Sequence, residues 1–491
     1  VSSRLASFTV FVAAGAVLVL ETLAGRLLAP YIGVTLQTFT GIIGVVLAGI
    51  AMGTFVGGRM ADRSDPRRLL PIALAAGGVL AVATVPLIRL FGPGADGSVP
   101  SIVLLSAVSF LLPSAALSAV SPLVVKIVLA DVDHTGTVVG RLSAMGTAGS
   151  LVAVFVTGFV FVAAFPTTPV IVVMGALLVM VAGVVWWRLG RVSHHDPIVG
   201  CVLALVAVGG LAVAAGSPCD VESTYFCAVV KVDPERPTGR ILVLDQLRNS
   251  YVDLADPTHL EFSYAQIMSD VIEGIDPGDT PIDTAHVGGG GFTMPRWIEA
   301  TRPGSTSVVF ELDPTIVELA EDQLGLVQST DLRAVTGDAR VHVRELEPAS
   351  LDLVIGDAFG GEAVPWHLTT REFVAQIRDS LRPGGVYALN LIDHGDLGFA
   401  RAEVATLRAV FDHVAVIAPL ARLDGLTNGG NFVLAASDDP LPVDAIQARN
   451  TSRGDDDTVW STDAELATFV GDAEVLTDEY APVDQLITPE V

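Results

Sequence analysis

Seven long apolar runs in the first 216 residues constrain this chain more than anything else in it. They lie near 8–30, 37–60, 69–91, 101–121, 143–165, 168–187 and 198–216. Short polar or turn-forming pieces separate them, among them DRSDPRR (62–68), FGPGADGSVP (91–100) and FPTTP (165–169). A helix needs about 20 apolar residues to cross the hydrocarbon core of a bilayer. A cleaved leader accounts for one such run at most. Residues 1–216 are therefore expected to form a transmembrane domain of about seven helices. The stretch 101–130, interrupted by Pro113 and Pro122, leaves a second count open: crossing twice, it makes eight.

Charge divides the chain at the same place. Residues 1–216 hold 11 Lys/Arg and 7 Asp/Glu, so with −26 overall the remaining 275 residues carry −30. An acidic surface of that size repels nucleic acid, which is excluded as a partner. With the N-terminus in the cytoplasm, nine basic residues fall on the inner side: Arg4, Arg59, Arg63, Arg67, Arg68, Lys126, Arg141, Arg188 and Arg191. Only Arg26 and Arg89 fall outside. Seven spans from that start put the C-terminal domain on the outer side. Cys219 and Cys227, eight apart in SPCDVESTYFC, are candidates for a disulfide in an oxidising compartment, or else two unrelated thiols. GIAMGTFVGG places Gly49, Gly53 and Gly57 at four-residue spacing, which suits close helix packing. Glu21 inside a span needs a partner; an ion pair with Arg26 and a substrate or proton site are both open.

From 217 the pattern changes. FCAVVKV, GRILVLD and SYVDLAD alternate like short strands, giving a linker and small β-region over 217–261. From 262 to 491, helical and strand patterns alternate, the mark of a Rossmann-like doubly wound sheet with ligands at the carboxyl ends of its strands. HVGGGGFTMPRWI is a strand, a glycine turn and a helix start. Gly288, Gly289 and Gly290 there let backbone approach a ligand closely. Glu311 ends the next strand, where an acid meets ribose hydroxyls. Asp338 in VTGDAR and Asp357 in DLVIGDAF end two more, Asp338 where an adenine amino group is met. Three acids at successive strand ends indicate a nucleoside site. His286, His342, His367 and His394 lack zinc spacing, and no metal is expected. Trp366 and His367 either cap a pocket or pack in the core.

The ordered segments LDQLRNSY, HLEFSYAQIM, HVGGGGFTMPRWI, VVFELDPTIVELA, VTGDAR and LDLVIGDAF resemble the polyamine aminopropyltransferases, or spermidine synthases. ETLAGRLLAPY, GGRMADR and DEYAPVDQLI extend the resemblance to the membrane-fused branch of that family. It implies that Asn249, Glu311 and Asp338 bind the nucleoside and that Asp357 handles the proton of an acceptor amine. Tyr264 would line the substrate site. The co-substrate would be an S-adenosyl sulfonium, decarboxylated S-adenosylmethionine or S-adenosylmethionine itself, with no permanently bound cofactor. The implied partners are a small-molecule amine or another acceptor, the lipid bilayer, and a second copy of the chain in a homodimer.

This sequence departs from the family where the amine ends bind. Gly291 stands where the family has an Asp in the glycine loop. Gly360 replaces a second Asp, with Glu362 nearby as a substitute, and Ala265 follows the site tyrosine. Three readings stay open: aminopropyl transfer, methyl transfer from S-adenosylmethionine, and a non-catalytic nucleoside-binding or transport-coupled membrane protein.

Overall fold

The computed structural model describes residues 3–129, 135–189, 197–275, 278–361 and 363–487. The chain forms two compact units, Val1–Val229 with Leu244–Gln246, and Val230–Val243 with Leu247–Val491.

Among the described residues of the first unit, six helices are long and apolar enough to cross a membrane. They are α1 (Ser3–Ile32), α2 (Leu36–Arg63), α3 (Pro66–Gly94), α4 (Val99–Val128), α5 (Thr135–Ala164) and α6 (Thr167–Leu189). The seventh apolar run forms α7 (Pro197–Ala214) of 18 residues, about 27 Å at the helical rise and the shortest of the set. Helix α4 runs through both prolines, so this stretch does not turn back. Pro113 has no N–H to give, and a π turn at Ala107–Leu111 precedes it and absorbs the missing bond.

The glycine row on α2 lies against the backbone of α4. A Cβ at Gly49 would sit 2.8 Å from the Leu111 carbonyl oxygen, and one at Gly53 only 2.0 Å from that of Ala115. Arg26 does not pair with Glu21. Five residues rotate the two side chains about 140° apart around the helix, and Arg26 instead meets Glu222 at 3.4 Å. It also donates to the carbonyl oxygens of Val162 (3.1 Å) and Ser223. Glu222 belongs to β1 (Val221–Glu222), which pairs antiparallel with β2 (Cys227–Val232). Cys219 and Cys227 are joined by a disulfide, with Cα atoms 5.2 Å apart, while Cys201 is free.

The second unit, which opens at Val230, holds all but the last residue of β3 (Gly239–Leu244) and the whole of β4 (Leu247–Asp253), which are neighbours in one sheet. Its main sheet has eight strands: β5 (Asp283–Val287), β6 (Thr306–Glu311), β7 (Leu332–Thr336), β8 (Leu351–Gly356), β9 (Leu381–His394), β10 (His413–Pro419), β11 (Gly429–Ser437) and β12 (Asp457–Trp460). Their order is β12-β10-β11-β9-β8-β5-β6-β7. β7, β6, β5, β8 and β9 are parallel, while β11, β10 and β12 close one edge antiparallel. The sheet is thus doubly wound and mixed. Apolar side chains cover both faces: Phe373, Phe399 and Phe432 are fully buried on one side, and Met268 and Ile298 on the other. From β5 the chain runs outward through β6 to β7, and the connection after β7 crosses back to β8, so the order reverses between β5 and β8. This places the topological switch point, where such sheets bind ligands, at the carboxyl ends of those two strands.

The α2–α4 packing gives a paired test. Gly53→Ala should destabilise the detergent-purified protein by about 1–3 kcal/mol through overpacking. Gly58→Ala on the same helix meets nothing within 4 Å and should leave the melting temperature unchanged or slightly raised.

Candidate active site

The turn after β5 is the floor of the site. Gly288 has φ +97, and a side chain there would meet the Asp357 carbonyl oxygen at 2.4 Å. Only glycine gives both that backbone conformation and that approach. Gly288 N–H donates to Phe310 O (2.9 Å) and Asp357 N–H to Val287 O (2.8 Å), knitting together the ends of β5, β6 and β8. Helix α9 (Thr293–Thr301) follows, entered through the buried Phe292 in a left-handed conformation.

Glu311, at the end of β6, reaches back under this turn. Its Oε2 accepts the N–H groups of Gly289 (2.8 Å) and Gly290 (3.1 Å), and its Oε1 accepts that of Asp313 (2.9 Å). Burial raises its carboxyl, and these backbone bonds oppose the rise. A carboxylate has about four acceptor positions. Three are taken, so one further hydroxyl fits without displacing the loop.

Asp357 lies half-buried beyond β8. Asn390 Nδ2 donates to its Oδ1 at 2.9 Å, and the Tyr264 hydroxyl donates to the same carboxylate. Burial pushes the Asp357 carboxyl up to about 6, against the pull of those two bonds. Tyr264 is buried on α8 (Ser263–Ile275), and burial beside Asp357 raises its hydroxyl well above the usual range. Asn390 is held in turn by Asn431, whose Nδ2 donates to Asn390 Oδ1 at 3.0 Å. The chain of amides therefore aims an N–H group at Asp357 from two strands away.

Asp338 lies just past β7 and caps α11 (Ala339–Val343), its Oδ1 accepting the Arg340 N–H at 2.8 Å. Its Oδ2 lies 3.4 Å from His367 Nε2, while Trp366 beside it is half exposed. The pair therefore stands over the Asp338 side of the site, not in the core. Asn249, on β4, accepts the Ser250 hydroxyl at 3.1 Å and packs against Gly290. Glu362 lies outside the described residues.

The structure thus gathers Gly288, Gly289, Gly290, Glu311, Asp338, Asp357, Tyr264 and Asn249 around the switch point. Ser250, Asn390 and Asn431 join them without having been singled out in the sequence. Asn390 was the traceable one, a polar residue inside the otherwise apolar strand VYALNLI. Among the described residues no group of three His, Cys, Asp or Glu could hold a metal. His286 is a core residue whose Nε2 lies 3.0 Å from the Thr284 hydroxyl; burial lowers its imidazole to about 3 and keeps it neutral.

No family model matches the chain. It is 35% identical over 133 residues to the polyamine aminopropyltransferase of Vibrio vulnificus, covering 26% of this chain and 42% of that protein. A second polyamine aminopropyltransferase, from Chromobacterium violaceum, is 27% identical over 192 residues, 39% of this chain and 69% of that one. This chain is spermidine-synthase-like. The spermidine-synthase-like chain also resembles the eEF1A lysine and N-terminal methyltransferase of Bos taurus, 29% identical over 161 residues, 30% of this chain and 22% of that protein. Among solved structures, a probable spermidine synthase from Corynebacterium glutamicum is 28% identical with a TM-score of 0.49, covering 54% of this chain and 96% of that one. The chain spans less than half the length of the Vibrio protein.

The glycine at 291 has a local cause. Its N–H donates to the Ser250 hydroxyl at 2.7 Å, and a Cβ would sit at that same distance from the hydroxyl oxygen. In this spermidine-synthase-like chain, Ser250 fills the space that a loop aspartate would need.

Asp357 generates a pH test. It accepts a proton only when ionised, so the kcat/KM of a reaction that uses it as a base should rise through about pH 6. Tyr264→Phe and Asn390→Ala each remove a donor that favours the carboxylate, and each should move that limb to higher pH. A limb that stays in place in both variants would show that these donors do not set it.

Proposed function

We propose that the second unit transfers an alkyl group from an S-adenosyl sulfonium donor to an amine, most simply an aminopropyl group. The observation that carries this reading is the half-buried Asp357, held by Tyr264 and Asn390 beside the glycine turn. Polyamine aminopropyltransferases among the relatives support it.

An alkylammonium with a pKa near 10.4 must lose a proton before it attacks carbon, which costs about 4–5 kcal/mol at pH 7. Asp357 orients the amine and takes that proton. The nitrogen lone pair forms the new C–N bond, the C–S bond breaks toward sulfur, and the sulfonium leaves as a neutral thioether. No metal is required. Glu311 and Asp338 are assigned to the ribose and the adenine, and Asn249 to the nucleoside edge at Gly290. The carboxylates concentrate negative potential where both substrates are cationic. Glu362 is assigned to the acceptor side.

Methyl transfer is a second reading, and a specific observation favours it. The loop at Gly291 carries no acid and is filled by Ser250, so nothing there repels the carboxylate of intact S-adenosylmethionine. The bovine methyltransferase relative agrees. Purified protein given labelled decarboxylated donor and putrescine should form labelled spermidine, and Asp357→Asn should lower the rate at least about 100-fold. Methyl transfer from S-adenosylmethionine with no spermidine formed would establish the second reading; wild-type rates in Asp357→Asn would remove the base from either.

We further propose that the acidic unit faces the outer side of the membrane. The basic-residue bias, a seventh apolar helix and the Cys219–Cys227 disulfide support that side. Protease added to intact cells should then cleave the second unit. Cleavage only after permeabilisation would place it with the cytosolic donor pool instead.

A further inference from the structure

The first unit holds a cavity of its own, about 60 Å³, beside the disulfide loop and at one end of α1, α3 and α6. Arg26, Tyr31, Arg89, Thr168, Glu222 and Asp245 line it. Two guanidinium groups and two carboxylates in one small space are costly next to apolar helices unless each has a partner.

Two of the four are partnered. Arg26 meets Glu222 at 3.4 Å, and both side chains are more than four-fifths buried. Glu222 also accepts the Thr167 N–H at 3.0 Å. The other two make no direct ion pair: Glu222 acts on Arg89, and Arg26 on Asp245, only at longer range. Arg89 donates to the Ala212 carbonyl oxygen and to the Thr168 hydroxyl (3.0 Å), both neutral. Asp245 accepts the Cys227 N–H through Oδ1 at 2.9 Å, which leaves Oδ2 for something else. Neither has an oppositely charged group within 4.0 Å among the described residues. Asp245 is also held in a left-handed conformation (φ 55) by a two-way clamp, its own N–H donating to Cys227 O at 2.8 Å. A cavity of this size takes about four water molecules, or a small ligand that bears charged groups.

We infer that this cavity binds a small zwitterion, with an anionic oxygen group on Arg89 and an ammonium on Asp245. A lone anion would satisfy Arg89 and face Asp245 and Glu222. A lone cation would do the reverse. A molecule carrying both charges satisfies both groups at once. The ethanolamine phosphate end of a membrane lipid and a free amino acid share that chemistry.

The test uses the full-length protein, delipidated in a non-ionic detergent, and reads its melting temperature. Phosphatidylethanolamine, O-phosphoethanolamine and glycine supply both charges. Phosphatidylglycerol and inorganic phosphate supply the anion only, and ethanolamine the cation only. At least one zwitterion should give a saturable rise of about 3 °C or more, with the single-charge compounds giving little. A rise with the lipid alone assigns the ligand to the bilayer; a rise with O-phosphoethanolamine or glycine assigns a free zwitterion. Arg89→Gln and Asp245→Asn should each weaken the response at least about tenfold. The inference fails if no zwitterion shifts the unmodified protein, if phosphate or phosphatidylglycerol does as well, or if both variants keep the full response. Should a variant not fold, the ligand series on the unmodified protein decides alone.

Discussion

The second unit depends on how closely the turn after β5 is allowed to approach its neighbours. At Gly288 the backbone passes within van der Waals reach of the Asp357 carbonyl, and the next two N–H groups rest on the Glu311 carboxylate. Any side chain at 288 would push β8 away from β5. Glu311 would then lose its two loop donors, and Asp357 its place beside the turn. Groups far apart in sequence become one site because three strand ends converge on a few atoms of glycine backbone.

Asp357 shows how the mixed sheet serves that site. Burial alone would favour its neutral form, and the hydrogen bonds from Tyr264 and Asn390 hold it near the point where it can change protonation at physiological pH. Asn390 can do this because Asn431, on an antiparallel strand, fixes the orientation of its amide. The antiparallel edge therefore contributes to the chemistry as well as closing the sheet. The same residue type elsewhere has structural work. Asp313 caps α10 (Pro314–Gln323), and Asp393, fully buried, accepts the N–H groups of His394 and Ala400.

The first unit obeys a different constraint. Six of its described helices are long and apolar enough to cross a membrane, where every backbone polar group would have to be satisfied within the helix, and α4 continues through Pro113 by adopting a π turn. Small residues set how closely helices pack, and the α2 glycine row against α4 is the clearest instance. Charges buried in such an apolar unit are informative because leaving them unpaired is costly. Arg26 found Glu222, 196 residues downstream, and in the cavity beside that pair Arg89 and Asp245 have neutral hydrogen-bond partners but no direct ion pair.

The division into an apolar helical part and an acidic α/β part was legible from composition and period alone. So were the glycine turn and the three acids, because a doubly wound sheet puts strand ends in one place whatever the loops do. Proline and charge were poorer guides. Pro113 and Pro122 suggested a break that the helix avoids, and Glu21 was left between an ion pair with Arg26 and a substrate or proton site, of which the helix geometry removes the pair. The amide ladder on Asp357 and the Ser250 hydroxyl beneath Gly291 were invisible as a pattern, since each pairs residues brought together only by strand register. Local periodicity, glycine placement and unbroken apolar length are properties of neighbouring residues, so the sequence by itself determined the elements and the chemistry available at their ends. Which donor reaches which carboxylate depends on side chains from distant segments meeting within about 3 Å, and only the tertiary structure decided that.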